Sequence, residues 1–365
     1  RWTRADDGMV SSVQVYWDRV ERREDTLDGV RNQVDIDVSQ YFSLGDRHRV
    51  VWGGGYRWSS DEVKPLTPVM RLSPTERSDN WFGAYFSDEI TLVPDRLRLS
   101  LGAKVEHNDY TGVEIQPSAR IAWTDEGGWT AWGAVSRAVR TPSRLETALQ
   151  FDDPIIAIAV PGDLNAEELL AWEAGWRGKL GPAVTLDLTA YLHQYENLLV
   201  WSATPATGPG QPFITLQFAN GGEVQSLGVE AALDARLTDR WTIKIAASAM
   251  DMDARASGFM VPGLDTFNAS RSPRHQVSVR SWFDVTDKID LDVWVRRVAS
   301  TGDGQVEAYT DMDIRAAWRA TPSIELFILA ENLLDEERLE MIETGLASPS
   351  EFNQRRVWFG ATARY

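Results

Sequence analysis

An antiparallel, up-and-down β-barrel that spans a membrane is the all-β fold class this sequence predicts, with about sixteen strands. Three observations predict it. Strand-like segments alternate in hydropathy residue by residue. Their connections alternate strictly between tight turns and long polar loops. Large aromatics recur at one end of the apolar register. Short links at one rim and long loops at the other are the build of an outer-membrane barrel.

The tight links fall near Asp6-Asp7-Gly8, Gly45-Asp46, Pro94-Asp95, Asp125-Glu126-Gly127-Gly128, Gly181-Pro182, Thr238-Asp239, Thr286-Asp287 and Thr321-Pro322. Between them the sequence places loops around residues 21–31, 59–78, 106–114, 140–166, 194–223, 252–273, 296–307 and 334–354. Period-2 alternation fills the intervals. Val184, Leu186, Leu188, Ala190 and Leu192 alternate with Thr185, Asp187, Thr189, Tyr191 and His193. Leu97 to Val105, Leu227 to Leu237, Trp241 to Ala249, Ile289 to Val295 and Met312 to Ala320 behave the same way, and a helical period does not fit them.

Alternation alone does not say whether an apolar face meets a core or lipid. The aromatics decide. Phe42, Trp123, Trp129, Trp176, Trp241, Phe283 and Trp318 all occupy the apolar register within a few residues of a tight turn. Such a ring is the aromatic girdle of a membrane barrel. A soluble sandwich would have shorter strands and mixed loops at both ends. Bulk composition is silent: the longest apolar stretch, Ile155 to Val160, is far short of the roughly 20 residues a membrane helix needs, whereas a barrel strand crosses with about 9–11.

A net charge of −17 argues against nucleic acid, and the absence of cysteine removes disulfides and thiolate metal sites. Four scattered histidines (His48, His107, His193, His275) show no metal-ligand spacing, Asp152-Asp153 reads as a solvated pair, and no catalytic constellation is present. Gly53-Gly54-Gly55 lies inside a strand and marks a bend or a close backbone approach rather than a phosphate cradle. The chain starts at Arg1 without a signal segment, so it is expected to lack its own beginning. At the other end Val357, Phe359, Ala361, Ala363 and Tyr365 share one face, and an apolar ladder ending in an aromatic resembles the signal read by the outer-membrane assembly machinery.

Four segments resemble the barrel of TonB-dependent receptors, the energised outer-membrane importers. Ser136 to Arg140-Thr141-Pro142 resembles that family's strand end in Arg-x-Pro. Leu164-Asn165-Ala166-Glu167 with Trp172-Glu173-Ala174-Gly175-Trp176-Arg177 resembles its next strand. Asn220-Gly221-Gly222 leads to Gly228-Val229-Glu230, and Asn332-Leu333-Leu334-Asp335 precedes the last strand. The resemblance implies a barrel of 22 strands with an internal plug. Residues 1–365 would then be one partial barrel domain, an open sheet without plug or first strands and inactive alone. It also implies an outer-membrane location in a Gram-negative bacterium. The implied partners are membrane lipid, the barrel-assembly machinery, the TonB complex through the plug, and a small ligand. A ferric siderophore is the default ligand, with cobalamin, haem and oligosaccharide open. No cofactor is implied.

Ligand contacts are expected from the outer loops and upper wall: Arg140, Arg144, Tyr191, His193, Tyr195, Trp201 and Trp294. Aromatic and guanidinium groups suit flat chelates and anions. Two rival readings remain open at this point, a complete diffusion porin and a soluble all-β binding protein.

Overall fold

The computed structural model describes residues 1–364 except 7, 25, 26, 66, 68, 209, 257–269 and 342–350. Strands β1 (Trp2–Asp6), β2 (Met9–Glu24), β3 (Leu27–Leu44), β4 (His48–Lys64), β5 (Met70–Leu72), β6 (Glu76–Val93), β7 (Leu97–Asn108), β8 (Gly112–Thr124) and β9 (Thr130–Arg140) lead to a short helix, α1 (Arg144–Ala148). There follow β10 (Leu149–Phe151), β11 (Ile156–Ile158), β12 (Glu167–Lys179), β13 (Val184–Pro205), β14 (Ile214–Thr238), β15 (Trp241–Ala256), β16 (His275–Thr286) and β17 (Ile289–Val298). The chain closes with β18 (Tyr309–Thr321), β19 (Ile324–Glu331), β20 (Glu337–Met341), β21 (Glu351–Gln354) and β22 (Arg356–Ala363).

Strands β1–β4, β6–β9, β12–β19 and β22 pair consecutively in one antiparallel meander, which, β1 apart, is the expected strand count. Among the described residues no ladder joins β1 or β2 to β22, so the sheet is open.

Directly opposed residues of an antiparallel pair share a face, so register fixes facing. Leu101 lies opposite Ala119, Ala119 opposite Val135, Val135 opposite Trp172, Trp172 opposite Leu192, and Leu192 opposite Leu227. Leu188, Ala231, Ala247 and Val277 form a second such row. Lys104, Asp187, Glu230, Lys244 and Asp292 fall on the other face. On β14 the apolar register runs from Leu227 to Leu237; at the usual rise and barrel tilt it covers about 25 Å, the height of a membrane barrel's apolar band. Its upper edge is abrupt: Arg137, Glu168, Gln194, Gln225, Asp251 and Arg297 stand where the outward register turns polar.

The tight rim is closed by local chemistry. In three turns a threonine hydroxyl accepts the amide two residues on: Thr238 from Arg240 (3.2 Å), Thr286 from Lys288 (3.2 Å) and Thr321 from Ser323 (3.3 Å). These are ST-turns. The aromatics predicted as a girdle line this rim on the apolar face. Trp123 and Trp129 meet edge to face at 5.0 Å, Trp129 and Trp176 lie 6.5 Å apart, and Trp241 contacts Phe283 at 5.9 Å. Phe42 opposes Val50, and Trp318 opposes Ile289 and Leu326.

Several predicted loops turn out otherwise: within 59–78, β4 runs on to Lys64, β5 takes 70–72 and β6 starts at Glu76, and 334–354 holds β20 and β21. Around 21–31 and 106–114 the ladders continue, the second ending in a turn at residues 109–111 where Asn108 Oδ1 accepts from Tyr110 N (2.9 Å) and Thr111 N (2.8 Å). Most of 194–223 is also strand, since β13 has 22 residues and β14 has 25, with a bulge at Asn197. Above the band the outward register turns polar at Gln194, Glu196 and Gln225, and the apolar run Leu199 to Trp201 spreads over both faces, so backbone pairing persists without an alternating signature.

Candidate functional site

Residues from three of the four segments that carry the family resemblance meet at one joint at the loop rim. Arg140 ends β9, and register sets it opposite Glu167, the first residue of β12. Its guanidinium donates to Glu167 Oε2 and Oε1 (2.6 Å each) and to both oxygens of Glu146 (3.0 and 3.1 Å). Glu167 also accepts from Leu199 N of β13 (2.8 Å). One turn of helix fits beside it because Ser143 and Glu146 make a capping box: Ser143 Oγ accepts from Glu146 N (3.3 Å) and Glu146 Oε2 from Ser143 N (2.6 Å). Burial pushes the Glu146 carboxyl up, but the hydrogen bonds from Arg140 and Ser143 outweigh it and hold it below its ordinary value. Asn220 adds the next strand: its Nδ2 donates to Asn197 O (2.6 Å) and Asn165 O (3.1 Å), and its Oδ1 accepts from Asn165 N (2.8 Å). Arg144 reaches Asp61 on β4 (3.1 and 3.2 Å) and Pro74 O.

The loops themselves interlock. β5 pairs with β10, β10 with β11, and β11 runs parallel to the outer end of β14. A second joint lies at the last loop, where Asn332, the first residue of the Asn-Leu-Leu-Asp segment, is buried. Its side chain accepts from Arg338 (3.0 Å) and donates to Asn353 O (2.9 Å). Arg338 also bonds Glu340 (2.5 Å), lies 3.5 Å from the buried Asp311, and covers the ring of Tyr309 at 3.9 Å; Asp311 in turn pairs with Arg296.

Below these joints the polar face of β12–β18 holds two adjoining recesses that share Thr189 and Glu230. The larger, about 790 Å³, includes Trp294, Arg296, Gln276, Ser278 and Tyr309 in its lining. Trp294 Nε1 donates to Ser278 Oγ (2.7 Å), and Arg296 covers its ring at 4.2 Å. The smaller, about 510 Å³, is lined by Tyr191, His193 and Tyr195, successive polar-face residues of β13, and by Met250 and Met252 of β15. Tyr191 stacks on His193 at 4.5 Å, and His193 meets Tyr195 edge to face at 6.3 Å. Tyr191 lies flat because its cross-strand partner is Gly228, where a Cβ would collide with the ring. The same device recurs at Gly53 opposite Tyr85, so the glycines read as a close approach are one.

Of the residues predicted as ligand contacts, Tyr191, His193 and Tyr195 are brought together and Trp294 lines the neighbouring recess. Trp201 stands apart, packed on Phe218 at 4.0 Å. Arg140 and Arg144 are engaged by the chain's own carboxylates, Arg140 by Glu146 and Glu167 and Arg144 by Asp61. Sequence reading missed Arg296, two residues from Trp294 on the same face of β17, Arg338, which its bonds to Asn332 and Asp311 hold at the last loop, and Met250 and Met252, which the register of β15 brings in. Val357 and Phe359 lie on the apolar face opposite Ala330 and Ile328, and Tyr365 lies outside the described residues.

An open antiparallel meander with a lipid-height apolar band, a polar inner face and interlocked loops at one rim is the wall of an outer-membrane barrel. The family described as TonB dependent receptor-like, beta-barrel, matches residues 3–333, and the chain belongs to it. Its place is the outer membrane. An iron-regulated outer membrane virulence protein of Vibrio cholerae is 23% identical over 318 residues, covering 84% of this chain and 48% of that protein. The siderophore receptor PirA of Acinetobacter baumannii superposes with a TM-score of 0.74 at 14% identity, over 98% of this chain and 60% of its own. PirA of Pseudomonas aeruginosa gives 0.71 at 15% identity, over 100% and 61%. The ferric yersiniabactin uptake receptor FyuA of Yersinia pestis gives 0.71 at 14%, over 98% and 59%. The chain spans about half the length of the curated relatives it matches.

Proposed function

We propose that this chain forms part of the barrel wall of an energy-coupled outer-membrane receptor importing a ferric siderophore or similar chelate. The observation that carries the reading is the pair of adjoining recesses on the polar face. The faces of Tyr191, His193, Tyr195 and Trp294 suit planar chelating rings, and Arg296 suits the negative charge such complexes carry. Arg140 and Arg144 serve this site by anchoring the loops above it. The edges of β1 and β22, unjoined among the described residues, support a barrel completed by further strands, and membership of the family supports a plug through which the TonB complex delivers energy. Without them the chain transports nothing. A complete porin would need a ladder between the first and last strands, and the described residues have none.

In this reading the aromatics from Phe42 to Trp318 sit among the lipid headgroups of the inner rim. Val357, Phe359 and Tyr365 present the assembly signal, so deleting Tyr365 from the whole receptor lowers its surface level. The direct test of the ligand is tryptophan quenching by a panel of ferric siderophores on the purified protein. Tyr191→Ala and Trp294→Ala should each weaken the preferred complex at least about tenfold. Unchanged affinity in both variants would remove the recesses from the binding path.

A further inference from the structure

One rung of the polar face has no partners within the protein. Across β13, β14, β15 and β16 the ladders set Thr189 opposite Glu230, Glu230 opposite Ser248 and Ser248 opposite Gln276. All four line the larger recess, and none of their side chains makes a hydrogen bond or ion pair among the described residues. Glu230 is the exception among the carboxylates of this face. On β12–β15, Glu167 meets Arg140 at 2.6 Å, Glu173 lies 3.5 Å from His193, Asp187 lies 3.8 Å from Arg177 and Asp234 meets Lys244 at 3.2 Å. Arg296, which also lines the recess, is held by Asp311.

The space beside Glu230 is shaped. On the tight-rim side Ala232 opposes Ala246, and both line the recess, so a hollow without side-chain bulk adjoins the carboxylate. Two residues the other way along β14, Gly228 carries the flat ring of Tyr191. A carboxylate flanked by two hydroxyls offers three acceptors on Cβ atoms about 5 Å apart. A primary ammonium brings three N–H donors and one charge, and bonds an anionic acceptor most strongly. Its alkyl stem fits the alanine hollow, and an aromatic ring face suits a cation. A neutral polyol uses the same acceptors but leaves the Glu230 charge unanswered. We propose that Thr189, Glu230 and Ser248 seat a primary ammonium group carried by the imported chelate. The naming of the cargo rests on the import reading, whereas the seat is a property of the wall.

The probes are a ferric trihydroxamate ending in a primary amine and the same chelate N-acetylated, followed by tryptophan quenching of the purified protein. The amine form should bind at least about tenfold more tightly, since acetylation removes the charge and two donors. Glu230→Gln keeps the side chain's shape, breaks no bond in the wall, and should bring the two affinities within about twofold of each other. Pentylammonium chloride tests the seat without a chelate. In protein carrying methyl-labelled alanine it should shift the NMR signals of Ala232 and Ala246, and in Glu230→Gln it should not. Equal affinity for the two chelates, or alanine signals that ignore pentylammonium or shift equally in Glu230→Gln, would overturn the seat. Alanine shifts in a protein that binds neither chelate would keep the seat and strike the import reading instead.

Discussion

The two rims of the sheet are built on opposite principles. At the tight rim each turn is closed within a few residues, by threonine hydroxyls at Thr238, Thr286 and Thr321 and by glycines such as Gly128. At the loop rim the bonds cross the sequence: Arg144 reaches Asp61, 83 residues away, and Arg71 reaches Asp152, 81 residues away. The backbone of a tight turn is therefore closed as soon as its own hairpin forms, with exposed pairs such as Arg240–Asp287 added from the next turn, whereas the loop rim waits for distant strands to be placed. The difference teaches that the motif residues Arg140, Glu167, Asn220 and Asn332 belong to the second kind of rim. They build the support above the wall, and the wall supplies the recesses.

The sharpest way to break the comparison is a charge deletion at each rim. Asp311 is 1% exposed and partners both Arg296 and Arg338. Asp311→Ala should cost about 3–5 kcal/mol, the penalty for stranding buried charge, in urea unfolding from detergent micelles. Arg240→Ala removes the exposed Arg240–Asp287 pair of the tight rim and should cost less than about 1 kcal/mol. Similar losses would erase the distinction.

Between the rims, facing sets the next effect. Leu188→Arg places a charge on the apolar band and should cost about 2–4 kcal/mol in folding titrations into lipid vesicles. Thr189→Arg, on the polar face, should cost far less. A smaller change is expected from Thr286→Ala, which loses the two local hydrogen bonds its hydroxyl accepts, from Lys288 N and Ile289 N, together worth about 1–2 kcal/mol. It should speed amide exchange only in the β16–β17 hairpin. The smallest effect is on pH. The Glu146 carboxyl is held below its ordinary 4.5, so its stabilisation is complete above that value and fades as pH falls through the depressed one. Amide exchange in α1 should quicken in that acid window, and Glu146→Gln should flatten the dependence.

Much of the fold was legible because lipid on one side and a polar interior on the other impose period 2 wherever a strand crosses. The legibility stops at Gln194 and Glu196, where the outward register of β13 becomes polar although pairing continues. That is why 21–31, 106–114 and much of 194–223 read as loops. β5, β10 and β11 have three residues each, too few to show a period. In the candidate site, Tyr191, His193 and Tyr195 were visible because alternate residues of one strand necessarily share a face. Met250 and Met252 were not, since only the β13–β14–β15 register brings them into the recess that His193 lines. Arg140 was seen and given to a ligand. Its carboxylate partners lie 6 and 27 residues on, and no local pattern announces them.

Facing is the claim on which the rest depends, and site-directed spin labelling of β13 measures it directly. The chain has no cysteine, so each residue from 184 to 196 can carry a single labelled cysteine without background. In lipid vesicles, labels at Leu186, Leu188, Ala190 and Leu192 should be relaxed by oxygen. Those at Asp187, Thr189, Tyr191 and His193 should not, and the alternation should end at Gln194. Oxygen access at Thr189 equal to that at Leu188, or an alternation running on through Glu196, would contradict the account.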